Sequence, residues 1–492
     1  MISIIDYDRI LSEHEIYELT HAFYNSEEIV ISDKKSPNNS RLVLELFKKE
    51  FSYKGILVND LNNSISKEIE LDILNIYRDK TSTSRIIGKQ ILCQLYEIES
   101  GITLPWGILT GIRPTKIVHK LIDLSINTDE IFRILTSGYL ISDEKAELLI
   151  RIAKRQREVV VNIKKNSYSL YINIPFCPSR CSYCTFPSLP AIEYSSEIDK
   201  YVDIILKELE LSRQKMTNWK INSVYIGGGT PTSLSLSSME RLIYEIKTKY
   251  PGINEFSVEA GRPDTLNYEY LELFKKYDID RISINPQTMN DETLKRIKRS
   301  HSVQDTINCF KQAKEIGIKI INMDIILGLP GENIYHLNNT INEIKKLNPE
   351  NFTVHVLSIK KGSEYMNNNY KYLLENYDSL NEMIKTSKMA AEDMNLKPYY
   401  IYRQKNILGN FENVGYSSKD NICNYNISIM EEKETIIGIG MGAVSKIYDK
   451  KLDILFRLPN YKNLKDYINN LDSQVTKRNS KLYEIEKSWI KT

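Results

Sequence analysis

Residues 171–187 read YINIPFCPSRCSYCTFP, and the fold follows from how this stretch is read. A β-type run, SLYINI (169–174), leads into Cys177, Cys181 and Cys184, spaced C-x3-C-x2-C. Three thiols this close do not make a disulfide framework, because an odd number leaves one over. They do suit three corners of a [4Fe–4S] cube, which ordinarily takes four thiolates. The remaining iron then has an open position, much as a catalytic metal keeps a site free for its substrate. A tetrahedral zinc site would need a fourth cysteine or histidine nearby, and none lies between Cys184 and His301. Cys93, Cys309 and Cys423 are isolated and read as small apolar side chains.

Downstream of the cysteines, strands and helices alternate. Strand-like runs are SVYIGG (223–228), EFSVEA (255–260), RISIN (281–285), IKIINMDIIL (318–327) and NFTVHVL (351–357). Helical patterns at about 195–214, 237–249, 267–277, 303–316, 333–347 and 375–395 fill the gaps. Strands separated by helices of this length imply right-handed crossovers and a parallel sheet, so the fold class is α/β. Six such units suit a partial barrel, whose chemistry belongs at the C-terminal ends of the strands. The unusual polar residues fall there. The cysteine loop follows the first strand, and the second ends in Gly227-Gly228-Gly229-Thr230-Pro231. Glu259, Gln287, Asp324 and Ser358 close the next four. GGGTPT lacks the Lys-Ser/Thr of a phosphate loop and the spacing of a dinucleotide fingerprint. It is expected to be a turn whose exposed N–H groups meet a carboxylate. Glu259 or Asp324 alone would read as a strand-end cap, and their joint placement beside the cysteine loop marks them as site residues.

Residues 1–165 carry no cluster ligand and form an expected separate α+β unit. It has strand-like runs at 28–32, 41–47 and 55–58 and helical patterns at 82–99, 114–124 and 142–164. In LPWGILTGIRPTK (104–116), Arg113 and Lys116 could meet an anion at a helix start. The plainer reading is a structured loop whose Pro114 opens the next helix. KPYYIYRQKNILGNFENVGYS (397–417) is either a wall for a large flat ligand or a polar-aromatic hairpin. GIGMGAVS (438–445) is either a cofactor-contacting turn or a glycine-rich strand end. A chain of 492 residues has room for two or three domains, and 41% hydrophobic with 26% charged residues is a globular composition. The net charge of +2 gives no drive toward nucleic acid or membrane surfaces. No signal peptide is expected from the start, MISIIDYDRI, which lacks a basic stretch followed by an apolar core, and no apolar run is long enough to span a membrane. A cytoplasmic protein is expected.

These residues resemble the oxygen-independent coproporphyrinogen III oxidase family of radical S-adenosylmethionine (SAM) enzymes, also called coproporphyrinogen dehydrogenases. LPWGILTGIRPTK and YYIYRQKNILGNFENVGY look like its HemZ-type branch, so the resemblance covers nearly the whole chain. It implies a radical SAM partial (β/α)6 TIM-like barrel at 166–395, with an N-terminal α+β domain at 1–165 and a C-terminal HemN-like region at 396–492. It implies cluster ligation by Cys177, Cys181 and Cys184. It also implies contact with the cluster-bound SAM by Tyr171, Tyr183, Gly228 and Glu259. Gly229, Thr230, Gln287, Arg299, Asp324 and Ser358 resemble contacts to a second SAM, and Val444 is a further match. The implied activity is oxidative decarboxylation of two propionates of coproporphyrinogen III to vinyls, giving protoporphyrinogen IX in haem biosynthesis. Electrons would come from a reductant such as flavodoxin or ferredoxin. One feature departs from that pattern: converting members commonly carry another cysteine two residues after the third, where this chain has Phe186. In this respect the chain is similar to the HemW branch of haem-binding chaperones. Yet that branch's H-N-x-x-Y motif is absent, and neither His336 nor His355 matches it. A haem-binding chaperone, or a radical SAM enzyme on another tetrapyrrole, is therefore the alternative.

Overall fold

The computed structural model describes every residue except 25–26, 33–39, 51, 62, 71–79, 112, 360–361, 368–376, 405–406, 408–409 and 491–492. Part of the aromatic stretch at 397–417 therefore lies outside the described residues. The chain divides into two compact units, Met1–Ala153 and Lys154–Thr492.

The first unit is built on a five-stranded sheet. Its strands are β1 (Ile2–Asp6), β2 (Ile29–Ser32), β3 (Leu42–Lys48), β4 (Ser52–Asn59) and β5 (Ser64–Glu70), in the order β2-β1-β3-β4-β5. β1 pairs in parallel with both neighbours, and the remaining pairs are antiparallel. Ile2, Ile4, Leu42, Leu44 and Leu57 pack with Ile87, Ile91 and Leu95 of the helix Lys80–Ser100. Gly55 allows that approach, since a Cβ there would lie 2.3 Å from Ile91 Cγ2. The pattern reading missed β1, β5 and the helix Glu13–Phe23, which opens with a capping box between Ser12 and Glu15. β1 is buried along its whole length and so shows no alternation, while β5 is an almost wholly polar edge strand. In the loop at 104–116, Trp106 is fully buried and Pro114 precedes the helix Thr115–Asp123, as the plainer reading has it.

In the second unit β6 (Ser167–Ile174) is followed by two two-residue strands, β7 (Phe176–Cys177) and β8 (Leu189–Pro190). Then come β9 (Lys220–Gly228), β10 (Glu255–Gly261), β11 (Arg281–Ile284), β12 (Ile320–Leu327) and β13 (Asn351–Val356). β6, β9, β10, β11, β12 and β13 lie side by side in sequence order, every pair parallel. Helices lie between them in the chain, so this is a partial (β/α)6 barrel. Leu170, Ile172, Val224, Ile226, Phe256, Val258, Ile282, Ile284, Ile321 and Met323 are at most 1% exposed. Strands covered on both faces read as apolar runs, and that is why all six were visible in the sequence.

The later residues extend the same sheet at both edges. β14 (Lys397–Tyr402) and β15 (Asn413–Ser417) join beyond β13, β15 antiparallel to it. β16 (Thr435–Ile439) runs parallel to β6, and β17 (Val444–Asp449) and β18 (Ile454–Pro459) continue antiparallel. The fully buried Glu208 fastens this region. It accepts hydrogen bonds from Gly440 N (2.8 Å), Asn460 Nδ2 (3.0 Å), Tyr467 (2.5 Å) and Arg478 Nη1 (2.8 Å). A buried carboxylate with this many donors is tolerated. Among the described residues, no helix is long and apolar enough to cross a membrane.

Candidate active site

The cysteine loop is closed at its base by β7 and β8, which pair Phe176 with Leu189 and Cys177 with Pro190. Leu189 N donates to Pro175 O (2.7 Å) and Ala191 N to Cys177 O (2.8 Å). Within the loop, Cys184 N donates to Cys181 O (3.1 Å), a tight turn joining the second and third cysteines. All six cysteines are free. Burial pushes the Cys177 and Cys184 thiols above their ordinary range, and the neighbouring motif cysteines add to the effect.

The loop forms one end of a cavity of about 380 Å³ at the C-terminal ends of the parallel strands. The cavity gathers Cys177, Cys181, Cys184 and Tyr183 with Gly228, Gly229, Thr230 and Glu259. Gln287, Arg299, Asp324 and Ser358 line it as well. Tyr171 and Val444 stand outside the lining. The half-buried Tyr171 ring lies in a stack with Tyr425 (centroids 6.1 Å apart) and Tyr225 (6.4 Å), its hydroxyl 3.1 Å from Asn173 Oδ1. Val444 begins β17, its main chain against Gly438, where a Cβ would lie 2.7 Å from Val444 C. It pairs with Pro459 of β18 in the outer sheet.

The glycine turn also departs from expectation. Its N–H groups are not free: Gly228 N donates to Glu259 Oε2 (3.3 Å), Gly229 N to Ile174 O (2.8 Å) and Thr230 N to Phe176 O (2.8 Å). Glycine is needed for close approach instead. A Cβ on Gly229 would lie 2.9 Å from Cys177 Sγ, and Gly228 has φ +116°, a region that favours glycine. Thr230 Oγ1 donates to Cys177 Sγ at 3.5 Å. Glu259 accepts from the Tyr225 hydroxyl (2.6 Å), and burial together with the Asp324 charge pushes its carboxyl up against that bond.

The far wall is polar. Asp324 Oδ1 accepts from Asn322 Nδ2 (2.7 Å), and Oδ2 lies 3.6 Å from His355 Nε2. Burial works to raise Asp324, but His355 and Asn322 hold its carboxyl below the usual range. His355 Nδ1 is 3.0 Å from the Tyr402 hydroxyl, which Gln404 Nε2 reaches at 3.4 Å. Arg299 donates to Asn285 O (3.2 Å) and the Tyr183 hydroxyl (3.0 Å). Pattern reading missed Tyr225, Arg262, His355 and Tyr402. The signal for His355 was alternation along β13, which sets it on the face of Thr353, beside Asp324 on β12.

A model of the radical SAM superfamily matches residues 171–344. The oxygen-independent coproporphyrinogen-III oxidase-like protein HemZ of Bacillus subtilis (strain 168) is 42% identical over 388 residues, 77% of this chain and 77% of that protein. This chain belongs to the HemZ-like family of radical SAM proteins. The heme chaperone HemW of the same organism is 32% identical over 283 residues, 56% of this chain and 70% of that protein. The solved structure of coproporphyrinogen III oxidase (HemN) from Escherichia coli shares the fold, with a TM-score of 0.53 at 20% identity over 66% of this chain and 73% of that one. A radical SAM protein of this family is an oxidoreductase that uses a [4Fe–4S] cluster and SAM. The donor set here fits such a cluster. Three free thiols share one cavity, the glycine turn leaves the space beside Cys177 Sγ that a Cβ would fill, and three arginines, Arg180, Arg262 and Arg299, line the same cavity.

Proposed function

We propose that this HemZ-like protein oxidatively decarboxylates two propionates of coproporphyrinogen III to vinyls, giving protoporphyrinogen IX. The observation that carries the reading is the cavity itself: one end holds three free thiols, and Tyr183, Tyr225, Tyr400 and Tyr402 line it with flat faces that suit a tetrapyrrole. Identity to HemZ over 77% of the chain supports it. On this reading Cys177, Cys181 and Cys184 hold the cluster, and Gly228 and Glu259 receive the SAM bound to it. Gln287, Arg299, Asp324 and Ser358 are the contacts proposed for a second SAM. With Gly229 and Thr230 committed to the cysteine loop, those two shape the site rather than donate to a ligand.

Once reduced, the cluster and SAM supply a 5′-deoxyadenosyl radical. The chain's part is to hold the radical's source near the substrate and exclude water. Each propionate would lose one hydrogen atom, carbon dioxide and one electron to an acceptor, leaving a vinyl group, with the cluster and SAM supplying the hydrogen-atom acceptor when bound. The tyrosines of the cavity, Tyr183, Tyr225, Tyr400 and Tyr402, give it flat apolar faces with a few fixed polar tips. A low-potential carrier such as flavodoxin or ferredoxin is the proposed donor. Six free cysteines agree with a cytoplasmic setting.

The test is anaerobic turnover of the reconstituted protein with SAM, a reductant and coproporphyrinogen III, with products read by mass spectrometry. Stepwise loss of two carboxyl groups is expected. SAM cleavage without any vinyl product would refute the substrate assignment. A second reading, a haem-handling protein, is favoured by Phe186 at the position of the extra cysteine and by the relationship to HemW. It predicts a change in the haem absorption spectrum on titration with the protein, and an unchanged spectrum removes it.

A further inference from the structure

Arg262 has no role in the reading above, yet its guanidinium touches the cysteine motif. Its Nη1 lies 3.9 Å from Cys181 Sγ and donates to Ser179 O at 3.0 Å. The other two nitrogens are fixed on one carboxylate, Nε to Asp264 Oδ1 (3.0 Å) and Nη2 to Asp264 Oδ2 (2.7 Å). This is a two-pronged pair, and the arginine side chain is only 5% exposed. Behind it the fully buried side chain of His301 brings Nδ1 within 3.6 Å of Asp264 Oδ1. The main chain is equally constrained: Gly261 has φ +49°, and Arg262 N donates to Ala260 O at 2.6 Å. Asp264 therefore sets where Arg262 points, and it points at the loop.

Arg299, also on the cavity wall, donates to Asn285 O and the Tyr183 hydroxyl and has its Nε unpartnered. Arg262 is the arginine whose Nη1 sits 3.9 Å from a motif sulfur, in line to donate to it. The reduction potential of an iron–sulfur cluster depends on its net charge, on hydrogen bonds to its sulfurs and on its exposure to solvent. A fixed cation beside a ligating sulfur favours the more negative, reduced form, and the effect is large where water is excluded. A carboxylate on the far side of that cation works in the opposite sense.

We propose that Arg262, oriented by Asp264, sets the reduction potential of the cluster held by Cys177, Cys181 and Cys184. It raises that potential so that a low-potential flavodoxin- or ferredoxin-class donor populates the reduced state by one electron. The inference rests on the proposed cluster ligation and not on the tetrapyrrole substrate. Arg262 is here a tuning residue, with no contact to substrate implied.

The experiment is a redox titration of the anaerobically reconstituted full chain, with the reduced fraction read by electron paramagnetic resonance. Wild type is compared with Arg262→Gln, Arg262→Lys and Asp264→Asn, each normalised to its own iron content. Arg262→Gln is expected to lower the ratio of reduced to oxidised cluster at a fixed potential by roughly tenfold, a shift of about 59 mV to more negative values for a one-electron couple. Arg262→Lys recovers part of that shift, and Asp264→Asn shifts the other way because the arginine's charge is no longer opposed. A role limited to holding the loop would lower iron content without producing shifts of opposite sign. If Arg262→Gln fails to take up iron, the sign of the Asp264→Asn shift decides. Equal potentials in all loaded variants overturn the proposal and leave the proposed function standing. A wild-type chain that takes up no cluster overturns both.

Discussion

Gly229→Ala probes the site at the point where the glycine turn meets the cysteine loop. A Cβ at this position would lie 2.7 Å from Phe176 O, 2.9 Å from Cys177 Sγ and 3.0 Å from Pro175 C. Two of these three are backbone atoms, and the backbone cannot easily give. Gly229 N is bonded to Ile174 O and Thr230 N to Phe176 O, both at 2.8 Å, so moving the turn away stretches both bonds. Forcing a methyl group into a packed site costs about 1–3 kcal/mol. In a unit of this size each kcal/mol lowers Tm by about 2 °C, so a fall of roughly 2–6 °C is expected. Cluster loading is expected to fall further than stability, because the remaining displaced atom is the Cys177 sulfur proposed to hold the cluster. The assay is anaerobic thermal unfolding, iron per chain and SAM cleavage, run on Gly229→Ala and on Gly111→Ala. Gly111 has nothing within 4 Å of a Cβ and serves as the unaffected comparison. A Gly229→Ala protein with wild-type Tm, iron content and SAM cleavage would refute the close approach and the cradle built on it.

Three other outcomes are expected. Cluster uptake by the apo protein quickens from about pH 7 to about pH 8.5, because Cys177 and Cys184 sit above their ordinary 9.0 and each pH unit supplies up to tenfold more thiolate; a rate flat across that window contradicts it. His355→Phe weakens the protein toward acid. The depressed Asp324 carboxyl contributes stability that is present above its unfolded value of 3.8 and lost as pH falls through the lower folded value. Without His355 that buried carboxyl titrates higher and the loss begins earlier, which denaturant midpoints measured across the acid range will show or fail to show. Tyr225→Phe leaves Glu259 Oε1 without its 2.6 Å donor, costs about 1–3 kcal/mol and weakens SAM binding to the loaded protein. Unchanged SAM affinity by calorimetry would remove Glu259 from the SAM site.

The barrel was legible because parallel strands buried on both faces leave apolar runs that helices interrupt. The helix expected at 303–316 is Val303–Ile316 in the structure, and the strand expected at 255–260 is Glu255–Gly261. The first unit was less legible, since β1 has no alternation and β5 offers only Ile65 and Ile69 among polar residues. At the cavity, residues closing a strand could be found from position alone, as Glu259 and Asp324 were. Arg262 could not, because it takes its meaning from Cys181 on another loop, and alternation along β13 gives His355 its face but not its partners, Asp324 and Tyr402. The N–H groups of GGGTPT were misjudged for the same reason. A glycine turn looks open in sequence, and only the course of residues 174–176 beside it shows that its donors are taken.

The two ends of the cavity are made by different means, and this bears on how a chain of this family changes its substrate. The thiol end is a short loop clamped by β7 and β8, braced by Thr230 on Cys177 and by Arg262 on Cys181 and Ser179. The far wall depends on the reversal after β13. β15 runs antiparallel to β13 and β14 antiparallel to β15, and that doubling back brings Tyr402 to within 3.0 Å of His355. The hairpin is held from outside the site: Arg155 donates to Ser417 O (3.0 Å) and Ser418 O (2.6 Å), and Gln156 to Tyr399 O (3.0 Å). Side chains of β14 that face the cavity can therefore change without disturbing the loop that carries the thiols. A fold arranged this way keeps radical generation constant while the wall opposite it varies. On the proposed reading, the choice between converting a tetrapyrrole and merely holding one belongs to Tyr400, Tyr402, Gln404 and His355 together with Phe186, two residues after the third cysteine, and not to the ligands themselves.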